Sequence, residues 1–176
     1  MLSQRNPWLH EVISYKTRQL RPGEVDGVDY HYITEEDFAR AKNLDEFLEY
    51  ATIHHLFSYG TKKHDIEVGL SEGKTLIKEI DIQWLEKIVT GYPALLPQIY
   101  TIFLDVSDEV MTKRITSRAP ITAEELAQRH ASAQHERVKA RELCSIIVDA
   151  SGTPEEVYEN VAALIQVFLS QQKHAD

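Results

Sequence analysis

The order of apolar and polar positions divides the chain into short apolar runs separated by stretches with helical spacing. L-H-E-V-I-S at 9–14 reads as a strand feeding a polar loop, and F-L-E-Y-A-T-I at 47–53 as a strand whose apolar run is broken by Glu49. T-L-I-K-E-I-D at 75–81, I-Y-T-I-F-L-D at 99–105 and C-S-I-I-V-D at 144–149 read as further strands, of which 99–105 is the most apolar and is expected to be central. Helices fall between them. Thr34 followed by Asp37 marks one start, with Asn43 at its end. After F-S-Y-G-T at 57–61, Ile66 and Leu70 share a helical face closed by Gly73. Residues 84–89 form a short helix, and another runs through Val110, Met111 and Ile115. Thr122 to Glu125 spells a capping box, and Thr153-Pro154-Glu155-Glu156 opens a last helix with an apolar stripe at Val157, Val161, Leu164 and Phe168. Strands alternating with helices predict an α/β fold, a mainly parallel sheet with helices on its faces.

Composition narrows the chemistry. A hydrophobic fraction of 43% with 27% charged residues belongs to a globular chain of one ordinary domain; no apolar run approaches the length of a membrane span, and no signal-peptide pattern is read at Met1. The single cysteine, Cys144, excludes an internal disulfide and fits a reducing, cytoplasmic compartment; within C-S-I-I-V-D it reads as a buried strand thiol. A net charge of -9 argues against a general nucleic-acid binder. The basic residues are clustered instead, as a small anionic ligand requires.

The densest cluster is S-Y-K-T-R-Q-L-R-P-G-E-V-D-G-V-D-Y, residues 14–30. Arg18 and Arg21 stand three apart in an irregular segment, where two planar guanidinium forks can close on one phosphoryl group. Lys16 adds a point charge, Pro22-Gly23 and Gly27 turn the chain, and Tyr30 returns a phenol. The alternative for this stretch is a solvated loop with stray arginines. G-L-S-E-G-K-T at 69–75 imitates a phosphate-binding P-loop but is one residue short of G-x4-G-K-[ST]. Its context is also inverted, with a helix before it and a strand after, so Gly73 is read as a helix terminator. Paired histidines His54-His55, and His130 with His135, lack a metal-ligand spacing and are read as surface or supporting residues.

Taken together, the 14–30 stretch, then F-L-E-Y-A, Y-G-T and E-I-D-I-Q in that order, resemble the GMP-binding half of the guanylate kinases, within the nucleoside monophosphate kinases, from about residue 9 to the last helix. The resemblance implies one domain over 1–176, with a P-loop-kinase-like three-layer core, a small inserted GMP-binding lobe at 30–80 and a helical lid at 114–130. It implies that Arg18, Arg21, Tyr30 and Tyr59 bind the GMP phosphate and that Ser14, Glu49, Thr61 and Asp81 read guanine. The chemistry agrees: guanine N1 and N2 are adjacent donors that one carboxylate accepts, whereas adenine N1 is an acceptor and would repel it. An isolated glutamate at position 49 would otherwise be an ordinary surface residue. Arg114, Arg118 and Arg129 match the family's lid arginines, which close over ATP phosphates and stabilise the transferring phosphoryl group; the alternative is a helix hairpin with exposed arginines.

The departures carry as much weight. The family begins with a strand and a P-loop that hold ATP and Mg2+, and the resemblance places Met1 inside the helix that follows them. The 176 residues are therefore expected to be a truncated or mis-started form, inactive alone, with two apolar strand edges left to re-pair or stay open where the family's first strand would lie. Leu20, Trp84, Ala119 and an apparent extra residue within 54–58 also depart from the family pattern, and Trp84 could crowd the nucleotide side. Two functions follow from the resemblance. One is a GMP kinase, ATP plus GMP giving ADP plus GDP with Mg2+. The other is an inactive binding module of the kind that takes phosphopeptides, for which Glu49 and Asp81 together would have no use.

Overall fold

Thr34 shows how local chemistry sets the element boundaries: in extended backbone its hydroxyl accepts from the Asp37 N–H, and a helix starts at the next residue. The computed structural model describes residues 2–53, 57–118 and 120–172 and divides into two units, Met1–Ile80 and Asp81–Asp176.

The first unit runs α1 (Leu2–Arg5), β1 (Leu9–Glu11), β2 (Tyr15–Lys16), β3 (His31–Tyr32), α2 (Glu35–Asn43), β4 (Phe47–Ile53), β5 (Phe57–Lys62), α3 (Lys63–Ser71) and β6 (Thr75–Ile77). β1 and β6 pair in parallel with Leu9 opposite Thr75. Both are shorter than the apolar runs predict. The ladder stops where the Val12 N–H donates to the Ile77 carbonyl, because the next side chain, Lys78, turns its ammonium onto Val12 O and Ser14 Oγ. The other four strands form a sheet in the order β3-β2-β5-β4. It is mixed rather than parallel, since β4 and β5 are consecutive and fold back on each other, while β2 lies antiparallel to β5 and parallel to β3.

A small aromatic core sits under this sheet: Phe38 and Ala41 of α2 pack with Phe47, and Tyr15 and Ile33 close around them. The Phe38 and Phe47 rings stack at 4.5 Å. Gly60 is required where β5 passes Phe47, since a Cβ there would lie 2.7 Å from the Glu49 carbonyl oxygen and 2.9 Å from the Phe47 ring. Phe47→Ala is expected to cost about 3–5 kcal/mol, the range for truncating a buried phenylalanine, here one stacked on Phe38. A drop in the urea midpoint with unchanged denaturant slope would show it.

The second unit runs α4 (Ile82–Gly91), a 3-10 turn at Pro93–Gln98, β7 (Ile102–Asp105), α5 (Asp108–Arg118), α6 (Ala123–Leu143), β8 (Ile146–Asp149) and α7 (Pro154–Gln172). β7 and β8 pair in parallel, Ile102 opposite Ile146. Three expectations are corrected here. The run at 99–105 becomes a strand only from Ile102, since the Ile99 N–H still closes the 3-10 turn on Leu96 O. Leu104 is 51% exposed and β7 pairs with one strand among the described residues, so within this unit it is not central. Cys144 caps the end of α6 instead of lying in a strand, and partial burial raises its thiol pKa, which leaves it a poor nucleophile. The capping box of Thr122 and Glu125 forms as predicted, and α7 begins at Pro154 with Thr153 and Glu156 bonded to each other's backbone N–H groups. Val161 and Ile165 of α7 are buried, and Phe168 stacks on Tyr100 at 4.5 Å.

Candidate functional site

The loop after β2 folds on Glu24, a residue that sequence reasoning passed over. Its carboxylate accepts from Arg18 Nη1 at 2.7 Å and Nη2 at 2.6 Å, from the Arg21 N–H at 2.7 Å and from the Tyr32 hydroxyl at 2.6 Å. The Arg18 fork, with the Tyr32 donor, pushes the Glu24 pKa far below the carboxylate range. The link it provides is therefore present above the ordinary carboxylate range and is lost only in strong acid. Tyr32 is pushed up to about 12, chiefly by desolvation and then by Glu24. Gly23 at φ +90° and Gly27 at φ +76° make the two predicted turns, and the Gly27 N–H closes the second on Tyr30 O.

Within this loop the structure brings Arg18, Lys16 and Tyr30 together. Lys16 Nζ lies 3.3 Å from the centroid of the Tyr30 ring and the Arg18 guanidinium 5.7 Å from it. Arg18 Nε is buried and has no hydrogen-bond acceptor among the described residues, while Glu24 holds Nη1 and Nη2. Arg21 contributes its backbone to Glu24 while its side chain is exposed. Tyr59 stands on β5 directly opposite Lys16.

A second group lies across β4 and β5. Glu49 is 4% exposed and Thr61 wholly buried; they face each other in register, and the Thr61 hydroxyl donates to Glu49 Oε1 at 2.5 Å. Ser14 receives Lys78 Nζ at 2.5 Å. Lys78 feels the charges of Glu49 and Lys16, which places all of these groups in one electrostatic neighbourhood. Lys78 was missed by sequence reading. A lysine inside the otherwise apolar T-L-I-K was the available signal.

The remaining predicted residues belong to the second unit. Asp81, expected to end a strand, is instead the N-cap of α4 and accepts from the Gln83 N–H at 2.7 Å. Arg114 and Arg118 are on α5 and Arg129 on α6, all exposed; Arg114 Nη2 donates to Gly152 O at 2.9 Å. Ala119 and the residues 54–56 of the apparent insertion lie outside the described residues. Sequence reading also missed Arg137 of α6, which donates to Asp105, Asp108 and Val106 O and so ties α6 to the end of β7 and the start of α5. His130 bonds Thr112 at 2.9 Å and stands 3.7 Å from Asp108, a supporting position as expected.

The P-loop imitation is settled by geometry. α3 ends at Ser71, Gly73 has φ +70°, its N–H bonds Leu70 O, and Lys74 pairs with Glu72 before β6 begins. The turn thus presents the carbonyl end of a helix, the wrong pole for a phosphate, and does not fit ATP or its Mg2+.

An α/β chain with an arginine- and tyrosine-lined loop beside a buried carboxylate has the build of a nucleoside monophosphate kinase. The solved guanylate kinase of Anaplasma phagocytophilum shares the fold, with a TM-score of 0.62 and 20% identity over 94% of this chain and 78% of that one. The family model for guanylate kinase matches residues 1–167. Among curated relatives, the guanylate kinase of Brucella melitensis is 31% identical over 164 residues, 93% of this chain and 71% of the relative. That of Pseudomonas fluorescens is 41% identical over 118 residues, 66% of this chain and 55% of the relative. The chain belongs to the guanylate kinase family. The match spans little more than half the length of the Pseudomonas relative. Among the described residues, no helix is long and apolar enough to cross a membrane.

Proposed function

We propose that this chain binds GMP through its first unit and serves a family reaction in which the γ-phosphate of ATP passes to GMP, giving ADP and GDP with Mg2+. The observation that carries the reading is Glu49, a buried carboxylate at 4% exposure that accepts from Thr61 and interacts with the charge of Lys78, which in turn donates to Ser14. A carboxylate is an acceptor only, and the adjacent N1 and N2 donors of guanine can meet one on a single edge. The phosphate would meet Arg18, Arg21, Tyr30 and Tyr59, with Lys16 adding charge. Asp81 and the arginines 114, 118 and 129 take their roles from the resemblance alone. ATP and Mg2+ belong to the family's chemistry; when bound, they supply the phosphoryl group and neutralise its charge. Within the 176 residues no G-x4-G-K-[ST] loop supports them, so no step at the donor phosphate is assigned to this chain's residues.

Calorimetry tests the reading. GMP should bind more tightly than AMP or UMP, and equal affinity for AMP would remove the guanine assignment. Arg18→Ala should weaken GMP by about 1.5–3 kcal/mol, the range for a charge-assisted contact, and leave guanosine little changed. Equal losses for the two ligands would mean that Arg18 only holds Glu24 and the loop. Added salt should weaken GMP binding in the native chain.

A further inference from the structure

We propose that Lys78 is a positioning residue that sets the direction of the Ser14 hydroxyl and thereby selects a 6-oxo purine over a 6-amino purine. The proposal rests on the GMP site above but concerns a residue to which no role has been given.

The argument is one of donors and acceptors. Lys78 follows β6 and reaches back over the end of β1, where Nζ donates to Val12 O at 3.0 Å and to Ser14 Oγ at 2.5 Å. An ammonium has three donors and no acceptor. Ser14 Oγ must therefore accept from Lys78, and its own single proton is directed elsewhere. Burial lowers the Lys78 pKa, Lys16 adds to that shift, and the carboxylates of Glu49, Glu11 and Glu79 oppose it. Thr61, the other hydroxyl of this group, gives its one proton to Glu49. Of the two hydroxyls, Ser14 is thus the one whose proton is not committed to Glu49.

A hydroxyl that already accepts from Lys78 offers its proton to a carbonyl acceptor and keeps one lone pair rather than two for an amino donor, so it favours the oxygen. Guanine and hypoxanthine present an oxygen at position 6, whereas adenine presents an amino group. Glu49 reads the N1 and N2 edge and does not touch position 6, so the two readouts are separable: IMP keeps the oxygen and lacks the 2-amino group.

The experiment is calorimetry of GMP, IMP and AMP on the native chain and on Lys78→Met, Lys78→Gln, Lys78→Arg and Ser14→Ala. Lys78→Met should weaken GMP and IMP by about 10-fold and leave AMP within about 2-fold, the scale expected when one directed hydrogen bond is lost. Lys78→Gln, whose amide oxygen can take the Ser14 proton, should narrow the same ratio and carries the test if the Met variant does not fold. Lys78→Arg, again donor-only, should restore most of it. Combining Lys78→Met with Ser14→Ala should cost no more than Ser14→Ala alone. An unchanged GMP to AMP ratio in a folded Lys78→Met or Lys78→Gln chain overturns the proposal and reduces Lys78 to a tie between the ends of β1 and β6. A native chain with no preference for GMP overturns the site itself, a separate failure visible before any variant is made.

Discussion

The 176-residue chain, given ATP, Mg2+ and GMP in a coupled assay, is expected to form no GMP-dependent ADP above background. Placing a strand and a G-x4-G-K-[ST] loop ahead of it should restore turnover that then falls by about 10³-fold or more in Arg118→Ala or Arg129→Ala. Phosphoryl transfer demands little covalent chemistry from a protein, so nearly all of its acceleration comes from holding donor, acceptor and charge in line. Effective molarities of about 10⁵–10⁸ M are at stake in that positioning, and the 176 residues, which contain no G-x4-G-K-[ST] sequence, are expected to forfeit most of it. The P-loop imitation at residues 69–75 closes α3 and aims carbonyls where amides are needed. Robust ADP formation by the 176 residues would mean that another part of this chain holds the triphosphate. An extended chain that binds GMP yet stays inactive would favour a binding module, and a phosphopeptide that competed with GMP would strengthen that reading.

How much of this was legible beforehand depends on the range of the interaction. Signals confined to one turn of chain were read correctly: the Thr34 cap, the Thr122 and Glu125 box, the glycine turns at 23 and 27, and the Gly73 terminator all formed where their side chains dictate. Strand lengths were overread. An apolar run says which residues seek burial, but pairing ends where a partner ends, and Lys78 and Asp81 each take hydrogen bonds that stop a strand or start a helix. Glu49 was singled out because a carboxylate within an apolar run is unusual, and its burial fits that concern. Its partners were less visible. Glu24 and Arg137 are ordinary charged residues in the sequence, Lys78 is marked only by its apolar neighbours, and the groups that give the three their roles lie 3 to 66 positions away. Such charges become distinctive only when the fold removes water from around them.

Glu49→Gln should abolish most of the preference for GMP over AMP while leaving the phosphate-dependent part of the affinity intact. The carboxylate offers acceptors only, and in the proposed pose both adjacent guanine donors meet oxygen. An amide in the same place must turn either its oxygen or its NH2 toward each guanine donor, so one of the pair faces another donor or loses its partner. The cost is about 1.5–3 kcal/mol, roughly 10- to 150-fold in affinity, because the contact is charge-assisted and the site is shielded from water. AMP carries an acceptor at N1, which the native carboxylate repels and a Gln amide can satisfy, so AMP should hold or gain affinity as GMP loses it. Two controls separate recognition from folding. The GMP to guanosine ratio reports Arg18 and should not move, and Thr61→Val, which removes the donor to Glu49 Oε1 without removing the carboxylate, should leave a preference for GMP. If Glu49→Gln weakened GMP and AMP alike, the carboxylate would be holding β4 and β5 in register at Thr61, and the guanine-reading role would pass to other residues.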